Sequence, residues 1–254
     1  PVTLPLILGW DVAGEIVAVG EKVIGWQVGD AIYSRPDIGR DGSYAEYIAI
    51  NANEIAAKPK SLSWQHAAAV PLAALTAWQS LYEIANIKAG ERVLIHAGAG
   101  GVGMFAIQLA KLRGAHVTTT VSTRNIECVK RWGADEVIDH TQEDFSLLRN
   151  IDVVYDTLGG EVQRRSWQVL KPGGRLISIV STPDNALAER HQVTPLFCFV
   201  KPSSTQLMSL ATLFDARKLQ VEIEHTYTLA EISQAHEHSE SGRTRGKVVV
   251  DVAG

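Results

Sequence analysis

The segment VLIHAGAGGVGMFAIQLAKLRG, residues Val93 to Gly114, decides how the rest of the chain is read. It places Gly98-x-Gly100-x-x-Gly103 between an apolar run and an amphipathic pattern of helical period. Each glycine has a physical task. The first makes a tight turn, the second lets main-chain N–H groups approach a pyrophosphate, and the third lets helix and strand touch. The positive end of the helix dipole then faces the phosphates. The spacing alone is common; following a strand and opening a helix, it reads as a dinucleotide-binding turn.

Working outward, strands alternate with helices on the carboxyl side. Strands are expected at Arg92–Ala97, Ala115–Val121, Glu136–Ile138, Ile151–Tyr155 and Arg175–Val180, with helices at Val102–Arg113, Arg124–Trp132 and Glu161–Leu170. Such alternation implies parallel βαβ units and an α/β, doubly wound Rossmann sheet. The tail adds a strand at Phe197–Val200, a helix at Ser203–Lys218, a strand at Val221–Thr226, a helix at Leu229–His238 and a strand at Lys247–Val252. On the amino side, residues up to about 60 read as short β segments with glycine turns, among them Val12–Val19, Ala31–Ser34 and Ser43–Ile50. Ser63–Ala85 reads as two helices with a turn near Val70–Pro71.

The strand after the glycine turn bears on which dinucleotide is bound. A ribose 2′-hydroxyl is usually held by Asp or Glu roughly 20 residues after the first glycine. Here the window runs Thr118 to Arg124 without an acid, and the first is Glu127. A carboxylate repels a 2′-phosphate, whereas a hydroxyl and a guanidinium bind it. Ser122 and Arg124 therefore point to NADPH.

Bulk properties narrow the classes. The 254 residues, 46% hydrophobic and 20% charged, have the make-up of an ordinary globular protein. A net charge of −4 supplies no phosphate-neutralising surface, which argues against nucleic acid as a partner. No apolar run approaches the roughly 18 residues that span a bilayer. The two cysteines, Cys128 and Cys198, make neither a disulfide framework nor a four-cysteine zinc lobe, and they fit a reducing, cytoplasmic setting. His236-x-His238 does not share a helix face and is not read as a metal site. Arg243 to Lys247 reads as a solvated basic face.

Taken with AAAVPLAALTAW (Ala67–Trp78), GWDVAGEIVAVG (Gly9–Gly20), DVVYDTLGG (Asp152–Gly160), LKPGGRLISI (Leu170–Ile179), FVKPSSTQL (Phe199–Leu207) and RGKVVV (Arg245–Val250), the glycine motif resembles the medium-chain dehydrogenase/reductase superfamily, in its zinc-independent quinone oxidoreductase and enone reductase branch. The resemblance runs the whole length. It implies a second, partial GroES-like β-barrel domain made of 1–75 and 219–254, with the Rossmann domain at 76–218. The chain opens with Pro1, and the family's layout implies a further amino-terminal portion that completes the barrel.

The resemblance also distributes roles. Main chain at Gly100, Gly101 and Val102 is expected on the pyrophosphate, His140 near the adenine and 2′-phosphate, Leu158 and Gly159 near the ribose, Phe197 and Phe199 near the carboxamide, and Thr76 on the nicotinamide side. Zinc-dependent members carry Gly-His-Glu where this chain has Gly9-Trp10-Asp11, and an indole is no zinc ligand. Without a Lewis acid, the substrate is expected to be electrophilic already, a quinone or an α,β-unsaturated carbonyl. Trp10 then serves as an apolar wall, with Tyr33, Tyr44 or water as proton donor. The expected assembly is a homodimer. The alternatives are an NADPH-binding redox sensor or scaffold without turnover, and an alcohol or aldehyde dehydrogenase of the same superfamily.

Overall fold

The computed structural model describes residues 4–252 of the chain, so Pro1 lies outside it. The described residues form two compact units, one from residues 4–75 with 201–252, the other from Thr76–Val200.

The first unit opens with β1 (Val12–Glu15), β2 (Ala31–Ser34) and β3 (Ile55–Ala57) in an antiparallel sheet of order β1-β2-β3. Val12 faces Ser34 across the first pair, and Ile32 faces Ala57 across the second. β3 was not anticipated, because its three residues are too few to show alternation. Ser43–Ile50, expected as a strand, is irregular: the amides of Gly42, Ser43 and Tyr44 donate to the carbonyls of Ile7, Gly9 and Leu8. Helix α1 (Trp64–Ala68) is capped by Ser63, whose hydroxyl accepts the His66 amide. Pro71 opens α2 (Pro71–Trp78), where its missing N–H costs nothing.

The second unit carries the parallel sheet. After a π-helical stretch at Gln79–Ile84 come β4 (Arg92–Ile95), α3 (Gly101–Leu112), β5 (His116–Val121), α4 (Ile126–Arg131), β6 (Glu136–Asp139), β7 (Ile151–Asp156), α5 (Gly160–Ser166), β8 (Leu170–Ser178), α6 (Asn185–His191) and β9 (Thr194–Phe197). The six strands lie in the order β6-β5-β4-β7-β8-β9. β4 therefore pairs with β5 on one side and β7 on the other, which makes its carboxyl end the switch point where ligands bind in such sheets. Leu94, Val154, Trp167 and Leu176 pack in one buried cluster. Met104, Phe105, Ile107 and Leu109 of α3 are fully buried.

Two elements differ from expectation. The helix expected at Glu161–Leu170 ends at Ser166, and Leu170 already pairs with Ile151 as the start of β8. The last strand lies at Thr194–Phe197 rather than Phe197–Val200 because α6 intervenes. Asp184 caps it by accepting the amides of Ala186 and Leu187, and Gln192, at φ 55°, stops it in the left-handed conformation.

The chain then returns to the first unit with α7 (Ser204–Asp215), β10 (Ile223–Thr228), α8 (Ile232–Glu240) and β11 (Lys247–Asp251). β10 and β11 pair in parallel. Residues 201–218, expected in the dinucleotide domain, pack here: α7 lies against β3, and the buried Tyr33 hydroxyl donates to the Leu207 carbonyl at 2.5 Å.

The close approach of α3 to the sheet rests on two glycines. A Cβ on Gly103 would lie 2.3 Å from the Ala97 carbonyl oxygen and 2.7 Å from Gly98 Cα. One on Gly98 would lie 2.0 Å from Thr119 Oγ1. Because backbone is the obstacle at Gly103, Gly103→Ala is expected to lower stability by about 3 kcal/mol. Urea unfolding checks this, and an unchanged midpoint would mean that helix and strand are not held so tightly.

Candidate functional site

The glycine turn begins one residue after β4 with Ala97 at φ 49°, a left-handed conformation costing about 1 kcal/mol or more for a residue with a Cβ. The Gly98 amide donates to the Thr120 carbonyl at 3.1 Å, and the Gly100 amide to the Ala97 carbonyl at 2.9 Å. Gly100, in extended conformation, is the N-cap of α3 and offers no capping side chain. The amides of Gly101, Val102 and Gly103 are those an α-helix leaves without an internal acceptor. No acidic residue stands in the first turn of α3 to neutralise them. A Cβ at Gly100 would meet only the Ala97 oxygen, at 3.3 Å. The turn therefore fits a pyrophosphate, with the main-chain N–H groups of Gly101, Val102 and Gly103 as its donors, whereas the Gly100 amide, expected there too, is taken by Ala97.

At the end of β5, Ser122 is half-buried and Arg124 is exposed. The exposed His140 donates its amide to the Val121 carbonyl at 3.0 Å, which seats it beside that strand end. Asp139, on neighbouring β6, was missed because it lies outside the window counted from the glycines. Its buried carboxylate accepts from the Thr123 hydroxyl, from the Thr141 hydroxyl and amide, and from Gln142. The Thr123 bond foremost, with that of Thr141, holds its pKa at about 2. So engaged, Asp139 organises the strand end.

Asp156, also missed, does the same at the end of β7. Its carboxylate accepts the amides of Leu158 and Gly159, the Gln163 side-chain amide and the Ser178 hydroxyl. This holds Gly159 at φ 72° and leaves Leu158 51% exposed. Phe197 and Phe199, 40% and 63% exposed, are not sheet core. Thr76 is buried in α2, its carbonyl 3.5 Å from the Tyr155 hydroxyl.

His96, the residue between β4 and Ala97, is fully buried, and its ring meets Phe145 edge-on at 4.6 Å. Burial is the main cause that pushes its pKa down to about 4, against the pull of Asp156.

In the first unit, Trp10, Val12, Ile16, Trp26, Tyr44 and Trp64 contribute to the wall of an open depression of 1210 Å³. The Trp10 indole N–H is buried there without an acceptor. Asp11 is a clasp. One oxygen accepts the Leu72 amide in the first turn of α2 at 2.5 Å, and the other lies 3.3 Å from the Lys247 ammonium. Lys247 is thus part of this clasp rather than of a solvated face. Burial raises the Asp11 pKa, while Lys247 opposes that shift. Tyr44 is half-buried, set edge-on to His236 at 5.8 Å, and burial raises its pKa. Tyr33 is withdrawn as a proton donor: its hydroxyl is buried and already donates to Leu207, and burial drives its pKa far upward. Among the described residues no three His, Cys, Asp or Glu side chains converge to hold a metal ion. With an indole at position 10 and Asp11 committed to α2 and Lys247, this donor set does not fit zinc.

Two family models match the chain: the alcohol dehydrogenase GroES-like domain over residues 1–60 and the zinc-binding dehydrogenase over 132–250. The chain is 33% identical to the mitochondrial NAD(P)H oxidoreductase RTN4IP1 of Danio rerio, over 98% of its own length and 72% of that protein's. It is 37% identical to the 2-methylene-furan-3-one reductase of Solanum lycopersicum, over 97% and 64%. The solved structure of a quinone oxidoreductase from Coxiella burnetii matches 98% of this chain and 80% of that one, with TM-score 0.92 and 36% identity. The chain belongs to the medium-chain dehydrogenase/reductase superfamily.

Membership makes it an oxidoreductase with a nicotinamide cofactor, which the turn at Gly98–Gly103 suits. Two features of this superfamily member are open to direct test. Because buried His96 stays neutral while an unfolded histidine takes up a proton, stability is complete above pH 6.5 and falls as the pH drops towards 4. The loss is about 3 kcal/mol, and His96→Phe is expected to flatten unfolding free energy between pH 6.5 and 4.5 relative to wild type. A parallel slope in both proteins would show that His96 does not titrate in this way. Asp11→Ala removes both ends of the clasp and is expected to destabilise by about 2 kcal/mol, whereas Asp11→Asn retains an acceptor for Leu72 and loses less. Equal midpoints for all three proteins in thermal unfolding would argue against the clasp.

Proposed function

We propose that this oxidoreductase uses NADPH to reduce a quinone or an α,β-unsaturated carbonyl, without a metal. The observation that carries the choice of cofactor is the end of β5. Ser122 and Arg124 stand there, and the nearby Asp139 is held by Thr123, Thr141 and Gln142. A guanidinium with a hydroxyl suits a 2′-phosphate, and a free carboxylate would oppose it.

The nicotinamide, when bound, supplies the hydride. The chain's own part is to hold the pyrophosphate on amides of Gly101 to Gly103, the ribose beside Leu158 and Gly159, and the carboxamide near Phe197 and Phe199, with Thr76 on the nicotinamide side. His140 lies against the adenine end. Water delivers the proton that completes the reduction. The lack of a fitting metal donor set among the described residues favours acceptors that need no Lewis acid, and two of the similar proteins are named for a quinone and a furanone acceptor. Edge strand β9, with exposed Phe197 at its end, supports a homodimer built along the sheet. Two buried free cysteines suit a reducing compartment, which we take to be the cytoplasm. Among the described residues no helix is long and apolar enough to cross a membrane.

Loss of NADPH absorbance on adding a panel of quinones and enones tests the reaction. Acceleration by at least one acceptor is expected, with zinc chelation leaving the rate unchanged. NADPH that binds while every acceptor stays inert would instead support a sensor or scaffold. For cofactor choice, Arg124→Ala is expected to weaken NADPH binding about tenfold and leave NADH binding unchanged. Equal losses for both nucleotides would remove the 2′-phosphate role.

A further inference from the structure

His96 sits in a chain of hydrogen bonds whose direction can be assigned by counting protons. The Ser166 hydroxyl, at the end of α5, donates to the Val162 carbonyl at 2.7 Å, so its oxygen is left to accept. His96 Nε2, 2.9 Å away, must therefore carry the proton and donate to it. Nδ1 is then an acceptor and takes the Thr120 hydroxyl proton at 3.1 Å. The same Thr120 oxygen accepts the Ala97 amide at 3.3 Å. In the opposite direction the serine proton leaves the Val162 carbonyl for Nε2, and Nδ1 donates to a Thr120 oxygen that already accepts the Ala97 amide. One neutral tautomer of a fully buried imidazole thus links the end of α5 to the first residue of the glycine turn.

That residue is the strained one. Ala97 has φ 49°, and its carbonyl receives the Gly100 amide while crowding the positions of Gly100 and Gly103. Backbone strain of this kind persists only where surroundings over-determine it. The His96 carbonyl adds a further restraint by accepting the Thr157 hydroxyl at 2.8 Å.

We infer that His96 is a positioning residue for the cofactor: acting through the Thr120 hydroxyl, its imidazole holds the left-handed turn at Ala97 that aims the first amides of α3 at the pyrophosphate. The inference rests on the nicotinamide-cofactor reading of the turn. His96 does not touch the dinucleotide; it sets the backbone that does.

The test is a fluorescence titration of NADPH against the full chain and five variants, each with its thermal midpoint measured in parallel. Thr120→Val, nearly isosteric, removes the link to Ala97 and is expected to raise the NADPH Kd about tenfold. His96→Phe is expected to do the same, and His96→Asn, which keeps an acceptor in the Nδ1 position, to recover most of the affinity. In Ala97→Gly the turn is no longer strained, so adding Thr120→Val to it should raise Kd by less than twofold. A purely structural role would shift the midpoints without this coupling. An unchanged Kd in Thr120→Val, or a full loss persisting in the Ala97→Gly background, would overturn the inference alone. Wild-type protein that binds neither NADPH nor NADH would remove the cofactor reading with it.

Discussion

The constraint on which the second unit depends is steric. The chain must leave the carboxyl end of β4 and start α3 at Gly101 with the helix pressed against the strand it has just left. That path requires a left-handed residue at Ala97 and no side chain at Gly98 or Gly103. Once these are met, fully buried Met104, Phe105, Ile107 and Leu109 seal the helix, and its uncapped amino end is exposed at the switch point of the sheet. The turn proposed to bind phosphate is therefore the same one that permits packing.

Around that end, buried polar groups are satisfied by neighbours rather than by solvent. Asp156 takes four donors, Asp139 takes hydroxyls and amides from residues on either side, and His96 joins two hydroxyls. Unsatisfied, each would cost one to several kcal/mol, roughly; satisfied, each restrains a loop. The first unit shows the same economy in Asp11, which joins the start of α2 to Lys247. The buried Trp10 N–H is one of several polar atoms without a partner among the described residues, and it lies on the wall of the open depression.

What was legible in the sequence follows from locality. Gly98-x-Gly100-x-x-Gly103 and the βαβ alternation depend on residues near one another in the chain, and so does the missing acid after β5. The Thr123 partner of Asp139 comes from just after β5, and the partners of His96 come from β5 and α5, so their roles required the strand order. Tyr33 stood as a proton-donor candidate on a short strand, and its burial depends on α7, many residues later. Ser43–Ile50 showed an alternation but not the lack of a regular ladder, and β3 was too short to show one. Helix α6 was not anticipated, although Asp184 supplies its N-cap.

The central claim is that the first amides of α3 bind the phosphates of a dinucleotide. Amide resonances followed during addition of NADPH test it most directly. The account predicts that Gly101, Val102 and Gly103 shift the most and that their hydrogen exchange slows. Saturable NADPH binding that leaves those three amides unmoved would contradict it.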